Sequence, residues 1–271
     1  MPELDLDGIR AKLDRAHVHL KALQAEIPVF FARDPYQVVM NLDCEAGKCS
    51  VHIEVREHPP LAWSVMVGDI VHNLRSALDH LAWQLVLVSG AEPEIGATQF
   101  PIFTSEPGNS NERGKWNRYV AGMADPILEY MREVQPYAAG DGAHEHSLVI
   151  LATFSNEDKH RLPVARVAAV AEHEVGSIGL VPVRDVEVSN AMIVKGIPLE
   201  DGDQIAWAEI LCTGPGPDVD LKGPVPMDIA FSAGSNHVPM QGLVDLYKHA
   251  VALVNAFEAL CREDDLSADV D

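Results

Sequence analysis

The chain has 271 residues, of which 47% are hydrophobic and 23% charged, and its 20 Lys and Arg stand against 41 Asp and Glu for a net charge of −21. That balance excludes an intrinsically disordered chain and leaves room for a sizeable core. The negative surplus repels phosphate backbones and anionic membranes, so a broad nucleic-acid face is excluded, while a nuclease that holds its substrate in one small site is compatible with it.

The N-terminal "MPELDLDGIRAKLDR" lacks the basic stretch and apolar run of a signal peptide. No segment reaches the ~18 continuous apolar residues of a membrane span. A cytoplasmic protein without a membrane partner is therefore expected. Residues 5 to 27 carry Ile9, Leu13, Ala16, Leu20, Leu23 and Ile27 at three- and four-residue steps, the period of an amphipathic helix, placed at about 4–28. "YQVVMNL" and "SVHIEVRE" flank a turn at Gly47, which predicts a β-hairpin over about 35–57. Cys44 and Cys49 sit beside that turn, with Cys212 and Cys261 far away. A cross-strand pair or half a metal site fits the 44/49 spacing, but with no second ligand pair two reduced thiols are the expectation.

Pro59 and Pro60 end the hairpin and suit the first turn of a long helix, about 61–89, which Gly90 closes. Residues 91–120 are rich in Gly, Pro, Asn and Ser, and "FPIFTSEPGNSNERGKW" reads as an extended segment followed by an exposed loop. Helices are expected at about 124–135 and 143–162, the second stopped by Pro163. Residues 164–233 change to short β-branched runs separated by Gly, Pro and Asp, a block of strands. The last helix, about 239–262, presents Leu243, Leu246, Tyr247, Ala250, Leu253, Val254, Phe257 and Leu260 as one stripe. The fold class is thus α+β: a bundle of four to five helices in one domain over 1–271, with an N-terminal hairpin and a β-rich insertion before the C-terminal helix. A cut near residue 163 is the two-domain alternative.

The long helix carries the chemistry. At about 100° per residue, Asp69, Ser76, Asp79 and Trp83 lie within roughly 60° of His72, and Asn73, Arg75 and His80 lie at the margins. Ile70, Leu74, Ala77, Leu81, Leu85 and Val88 fall on the opposite face. Solvated helix faces usually hold Lys, Glu and Gln, the better helix formers, so His, Asn, Asp and Ser there point to a partner other than water. A second group, Asn156, Lys159 and His160 in "FSNEDKHRLP", shares one helix face, with Asp158 directed elsewhere. Met by the first group, it would make one pocket with acid, base and anion-holding side chains. "HEHS" at 144–147 places two His at i and i+2, as do His17 and His19, which is wrong for two ligands on one helical face. No metal site and no cofactor are expected.

"HNLRSALDHLAW" followed about 80 residues later by "NEDKHR" resembles a widespread family of uncharacterised bacterial and phage-associated proteins, a resemblance that runs from the hairpin to Pro163 and brings no activity with it. Arg75 and His80 also resemble the Arg and His pair of HEPN domains, helical bundles that include many metal-independent RNases of toxin, antiphage and RNA-processing systems. That resemblance implies a homodimer with a composite site, RNA bound locally, His80 as the proton-transfer group and Arg75 as the stabiliser of phosphate charge. Asp79 would join them, and Asn73, His72, Asn156, Lys159 and His160 would support or bind substrate. Ser76 stands where HEPN nucleases usually carry Asn, Asp or His, and the strand block would be an elaboration. Two functions therefore stand side by side: a metal-independent endoribonuclease, or a non-catalytic binding or scaffold protein whose polar stripe is a buried hydrogen-bond network.

Overall fold

A computed structural model describes residues 4–169, 179–193, 198–222, 227–234 and 236–268. The architecture is α+β. Its elements in chain order are α1 (Asp7–Phe31), β1 (Tyr36–Asp43), β2 (Lys48–Val55), α2 (Leu61–Val88), α3 (Ser110–Tyr119), α4 (Asp125–Glu133), a 3₁₀ segment (Pro136–Glu145), α5 (Ser147–Asp158), β3 (Val164–Ala169), β4 (Gly179–Arg184), β5 (Val186–Ile193), β6 (Gln204–Cys212), β7 (Asp218–Lys222), β8 (Met227–Ala233), β9 (Asn236–Pro239) and α6 (Met240–Ala268). The chain divides into two compact units. One comprises Met1–Leu23, Val65–Pro163 and Gln241–Asp271, and the other Gln24–Ser64 and Val164–Met240. One boundary falls at Pro163.

In the helical unit α2 forms the spine. Ile70, Leu74, Ala77, Leu81 and Leu85 are fully buried, and so are Val71, Leu78, Ala82 and Val86, so the apolar face is wider than a single stripe. Ile9, Leu13, Ala16 and Leu20 of α1 and Leu243, Leu246, Leu253, Val254 and Phe257 of α6 are buried by the same three- and four-residue periodicity.

The stretch expected to be an exposed loop contains α3. Asn109 accepts the Glu112 N–H at 2.9 Å while the Glu112 carboxylate accepts the Asn109 N–H at 3.4 Å. This capping box starts a helix whose polar sequence hides only Trp116 and Tyr119 as anchors. The helix expected over 143–162 divides at His146, with 3₁₀ turns before it, because the His146 imidazole caps α5 by accepting the Leu148 N–H at 3.2 Å.

The other unit holds the strands, and all described pairs are antiparallel. The hairpin and the later strand block, distant in sequence, share one sheet with strand order β1-β2-β6-β5. The described strands also form a β3-β8-β9 sheet and a β4-β7 pair. Gly47 turns the hairpin at φ +66°, and a Cβ there would lie 3.3 Å from the Ile210 carbonyl oxygen. Only glycine offers both that backbone angle and the space. Next to it, Cys44 is joined to Cys212 by a disulfide with its Cα atoms 5.6 Å apart. This corrects the expectation of reduced thiols: the β2–β6 register brings the end of β6 to the hairpin turn, whereas Cys49 is buried under the sheet. The bond closes 168 residues of sequence, which by chain entropy alone would stabilise the fold by about 5 kcal/mol. Such bonds persist in oxidising surroundings. Among the described residues no helix is long and apolar enough to cross a membrane.

The helix α1 runs past its expected end through Pro28 to Phe31. Phe30 is buried there, edge-on to Trp63 with ring centroids 5.3 Å apart. The Trp63 indole N–H donates to Glu26 at 2.7 Å, so the apolar anchor and its polar edge are both satisfied.

Candidate functional site

The extended segment at residues 99–103 packs in the helical unit without a strand partner, yet its residues Phe100 and Phe103 are buried. Backbone N–H and C=O groups in such a place must be paired by something. Side chains supply the partners. Asp79 accepts the Phe100 N–H at 3.0 Å, and Arg75 Nη2 donates to the Phe100 carbonyl at 2.9 Å. The two side chains also pair with each other, Nη2 to Oδ1 at 2.8 Å and Nε to Oδ2 at 3.2 Å. Farther along, buried Gln135 accepts the Phe103 N–H at 3.1 Å and donates to the Pro101 carbonyl at 3.0 Å. Part of the polar stripe on α2 therefore substitutes for a neighbouring strand.

His72 and Ser76 of that stripe, together with Arg75 and Asp79, face a cavity of about 350 Å³. Its walls come from four places. The α2 helix contributes His72, Arg75, Ser76 and Asp79, the extended segment Gln99 and Phe100, the α3 helix Lys115 and Tyr119, and the end of α5 Ser155, Asn156 and Lys159. The α2 and α5 polar faces are thus brought together. Lys159 donates to Asn156 Oδ1 at 3.3 Å, and Lys115 lies over the Tyr119 ring at 5.5 Å and the Phe103 ring at 5.8 Å. Arg75 is neutralised by Asp79, but neither lysine forms an ion pair among the described residues. The cavity is therefore a local positive site in a strongly acidic chain.

Three of the sequence-selected residues do not line this cavity. His80 is exposed on the side of α2 that meets the first turn of α1, where a Cβ on Gly8 would come within 3.9 Å of its Nδ1. Asn73 turns back along its own helix and donates to the Asp69 carbonyl at 2.7 Å. His160 is exposed beside Glu157, whose carboxyl it helps to hold below the ordinary range after the larger effect of Arg161.

Asp158 does not line the cavity with Asn156 and Lys159, yet it too approaches α2. It meets α2 at Gly68, where a Cβ would overlap the carboxylate and lie 2.9 Å from its carbon. The missing side chain is what lets α5 come so close. Burial pushes the Asp158 carboxyl above the usual range, His72 opposes that rise, and Asp69 adds to it. Asp69 in turn is 3.6 Å from His19 on α1. An alternating row of acid and imidazole groups, His19, Asp69, His72 and Asp158, thus runs from α1 across α2 to α5.

Lys115, Tyr119 and Gln99 escaped the sequence reading because their stretch carries no motif. The capping box at Asn109 and Glu112 was the one signal that a helix would present Lys115. Among the described residues no three His, Cys, Asp or Glu side chains are grouped to hold a metal ion. What the cavity can do chemically is hold an oxyanion with the ammonium groups of Lys115 and Lys159, with hydroxyl and amide donors around it and an imidazole at its wall. No protein-family model, curated protein or solved structure matches the chain.

Proposed function

We propose that the protein binds a small anionic molecule, one bearing a phosphate or carboxylate group, in the cavity between α2, α3 and α5. The observation that carries this reading is the pair of lysines, Lys115 and Lys159, at the rim of an open polar cavity and without a carboxylate partner among the described residues. Arg75 and Asp79 act here as the rigid wall, since both are already occupied by the backbone of Phe100. The alternative seen in the sequence, a buried hydrogen-bond network in a non-catalytic protein, becomes part of the same proposal: the network shapes the site and the lysines fill it with charge.

The endoribonuclease reading, with its HEPN-like bundle and homodimer, draws on the same positive cavity, which would accept one ribose phosphate. It is the weaker of the two, because its Arg75 is engaged and its His80 lies outside the cavity. Calorimetric titration with adenosine monophosphate and inorganic phosphate at low salt separates them. Binding that falls by about tenfold or more in Lys115→Ala and Lys159→Ala variants, with no RNA cleavage in EDTA, supports the binding reading. RNA cleavage in EDTA that is lost in His80→Ala would support the nuclease instead. Saturation by neither anion at about 10 mM would sink the binding proposal.

A further inference from the structure

The helical unit has a second cavity, of about 500 Å³, whose lining includes Glu133, His146, His249 and, on α6, Ala252 and Ala256. Its imidazoles have little to offer a ligand: His146 Nδ1 accepts the Leu148 N–H at 3.2 Å, and His249 Nε2 is sealed in the interior. The lysine cavity differs, because neutral polar groups stand open on its inner wall.

Hydroxyls on the helices of this unit are tied to their own backbone elsewhere. Thr153 Oγ1 donates to the Val149 carbonyl at 2.9 Å, and Ser89 Oγ donates to the Leu85 carbonyl at 2.7 Å. Ser155 on α5 makes no such bond. The residue is only 6% exposed, it follows the fully buried Phe154, and its hydroxyl has no partner among the described residues. Its oxygen is nevertheless not one of the sealed polar atoms, and the residue forms part of the cavity wall. Alanine would suit both the core and the helix better, since a buried hydroxyl without a partner costs free energy and serine is the poorer helix former. Ser76 on α2 and Gln99 on the extended segment repeat the pattern: both are half-buried, both line the cavity, and neither side chain is engaged by the described residues. Gln135, by contrast, is fully engaged by the backbone of Phe103 and Pro101.

The inner groups, hydroxyl and amide, both donate and accept, whereas the ammonium groups at the rim only donate. With Arg75 balanced by Asp79, the two lysines are the net charge of the wall. A phosphate monoester matches them, since it carries about −2 near neutral pH. At ~30 Å³ per non-hydrogen atom, a water molecule's share of liquid volume, about 350 Å³ holds roughly twelve such atoms, of which a phosphate group takes fewer than half. On α5, Ser155 and Lys159 share a face one turn apart, about 6 Å of rise, the span of a three-carbon chain from its phosphate to its far hydroxyl. We infer that the ligand of this site is a small polyol phosphate, its phosphate at Lys115 and Lys159 and its hydroxyl groups on Ser155, Ser76 and Gln99. The inference rests on the anion-binding function proposed above and adds the chemistry of the uncharged part of the ligand.

The test compares glycerol 3-phosphate with propyl phosphate, which has the same chain and charge without the hydroxyls, and with inorganic phosphate, by calorimetric titration of the full chain at low salt. Glycerol 3-phosphate is expected to bind the parent at least about tenfold more tightly than propyl phosphate. Ser155→Ala should cut that preference by about threefold or more, and Ser155→Ala combined with Ser76→Ala should abolish it. Neither change removes a hydrogen bond within the protein, so unfolding temperatures should stay at the parent value. Lys159→Ala should weaken both organic phosphates in parallel and leave the preference as it is. Equal affinity of the parent for the two organic phosphates, or a preference that survives in the double variant, overturns the inference. Saturation by inorganic phosphate without a preference for glycerol 3-phosphate overturns it while sparing the anion-binding function, and saturation by none of the three at about 10 mM overturns both.

Discussion

The two cavities of the helical unit face chemistry of opposite sign. One sets Lys115 and Lys159 around a space walled by an Arg75–Asp79 pair, and the other sets Glu133 and two neutral histidines over an alanine floor. In a chain with a net charge of −21, the acidic cavity follows the overall composition and the lysine cavity departs from it. The departure is the more informative of the two, because placing unpaired cations together costs stability unless a ligand joins them. The comparison also separates polar groups already satisfied by the fold from those left open to a ligand.

The largest expected effect tests that separation. Arg75→Ala removes the donor to the Phe100 carbonyl and leaves Asp79, whose side chain is 31% exposed, without its cation. Loss of charge-assisted bonds of this kind should destabilise the protein by about 2–3 kcal/mol, read by urea unfolding. Arg75→Lys should recover only part, since a single ammonium cannot hold Asp79 and Phe100 in two directions at once. A loss below about 0.5 kcal/mol would show that Arg75 is free for a ligand and that the wall has been misassigned. Lys115→Ala and Lys159→Ala are expected to do the reverse. Each exposed lysine can be removed within about 0.5 kcal/mol of parent stability while anion affinity falls by about tenfold, close to 1.4 kcal/mol of binding.

How much of this was legible in the sequence follows the same division. The helices with apolar periodicity, α1, α2 and α6, could be read because every third or fourth residue from Ile9 to Leu23, Ile70 to Leu85 and Leu243 to Phe257 is buried. The two motif faces on α2 and α5 could be read because their residue types are unusual for a solvated helix. The rest depends on contacts between residues far apart. Arg75 and Asp79 serve a segment that starts 20 residues later and forms no strand, so periodicity could assign them to one face but not to a backbone partner. The contact of Asp158 with α2 could not be read because an ideal helical wheel knows nothing of Gly68. The Cys44–Cys212 bond lay hidden because only the insertion of β6 beside the hairpin brings residues 168 apart together. The third cysteine in that neighbourhood, Cys49, is nearer in sequence and was the natural choice.

A pH titration of stability distinguishes the second cavity from the first. Burial depresses His146 and His249 below the unfolded histidine value of 6.5. Above that pH both folded and unfolded states hold neutral rings, and the pair makes no contribution to pH dependence. As pH falls below 6.5 the unfolded chain takes up protons that the folded one refuses, so stability must decline until the depressed folded values are reached. Protonation of His146 would also turn Nδ1 from acceptor to donor and break the α5 cap. A decline of about 1 kcal/mol between pH 7 and 5 is expected, reduced in His249→Gln. Identical profiles for parent and variant would remove the premise that His249 is held neutral by burial.

The smallest effect lies at the contact between α2 and α5. Gly68→Ala gains up to about 1 kcal/mol of helix propensity. It must also push aside the Asp158 carboxylate, which an added Cβ would overlap. Because the obstructing atoms are the end of a short side chain, the net change should be a destabilisation of about 1 kcal/mol. In an Asp158→Ala background the obstruction is gone, and the same glycine change should become stabilising by up to about 1 kcal/mol. The sign reversal is the measurement. Asp158→Asn keeps the shape and isolates the charge: burial raises the folded carboxyl above its ordinary value, so its ionised form weakens the fold at neutral pH, and that cost disappears as pH falls through the raised value toward 3.8. The amide variant should therefore be as stable as the parent or slightly more so at pH 7, by no more than ~0.5 kcal/mol, with the gap closing in acid. A marked loss of stability in Asp158→Asn would show instead that the pairing of Asp158 with His72 outweighs the burial of its charge, and would join the row from His19 to Asp158 to the lysine cavity as one electrostatic unit.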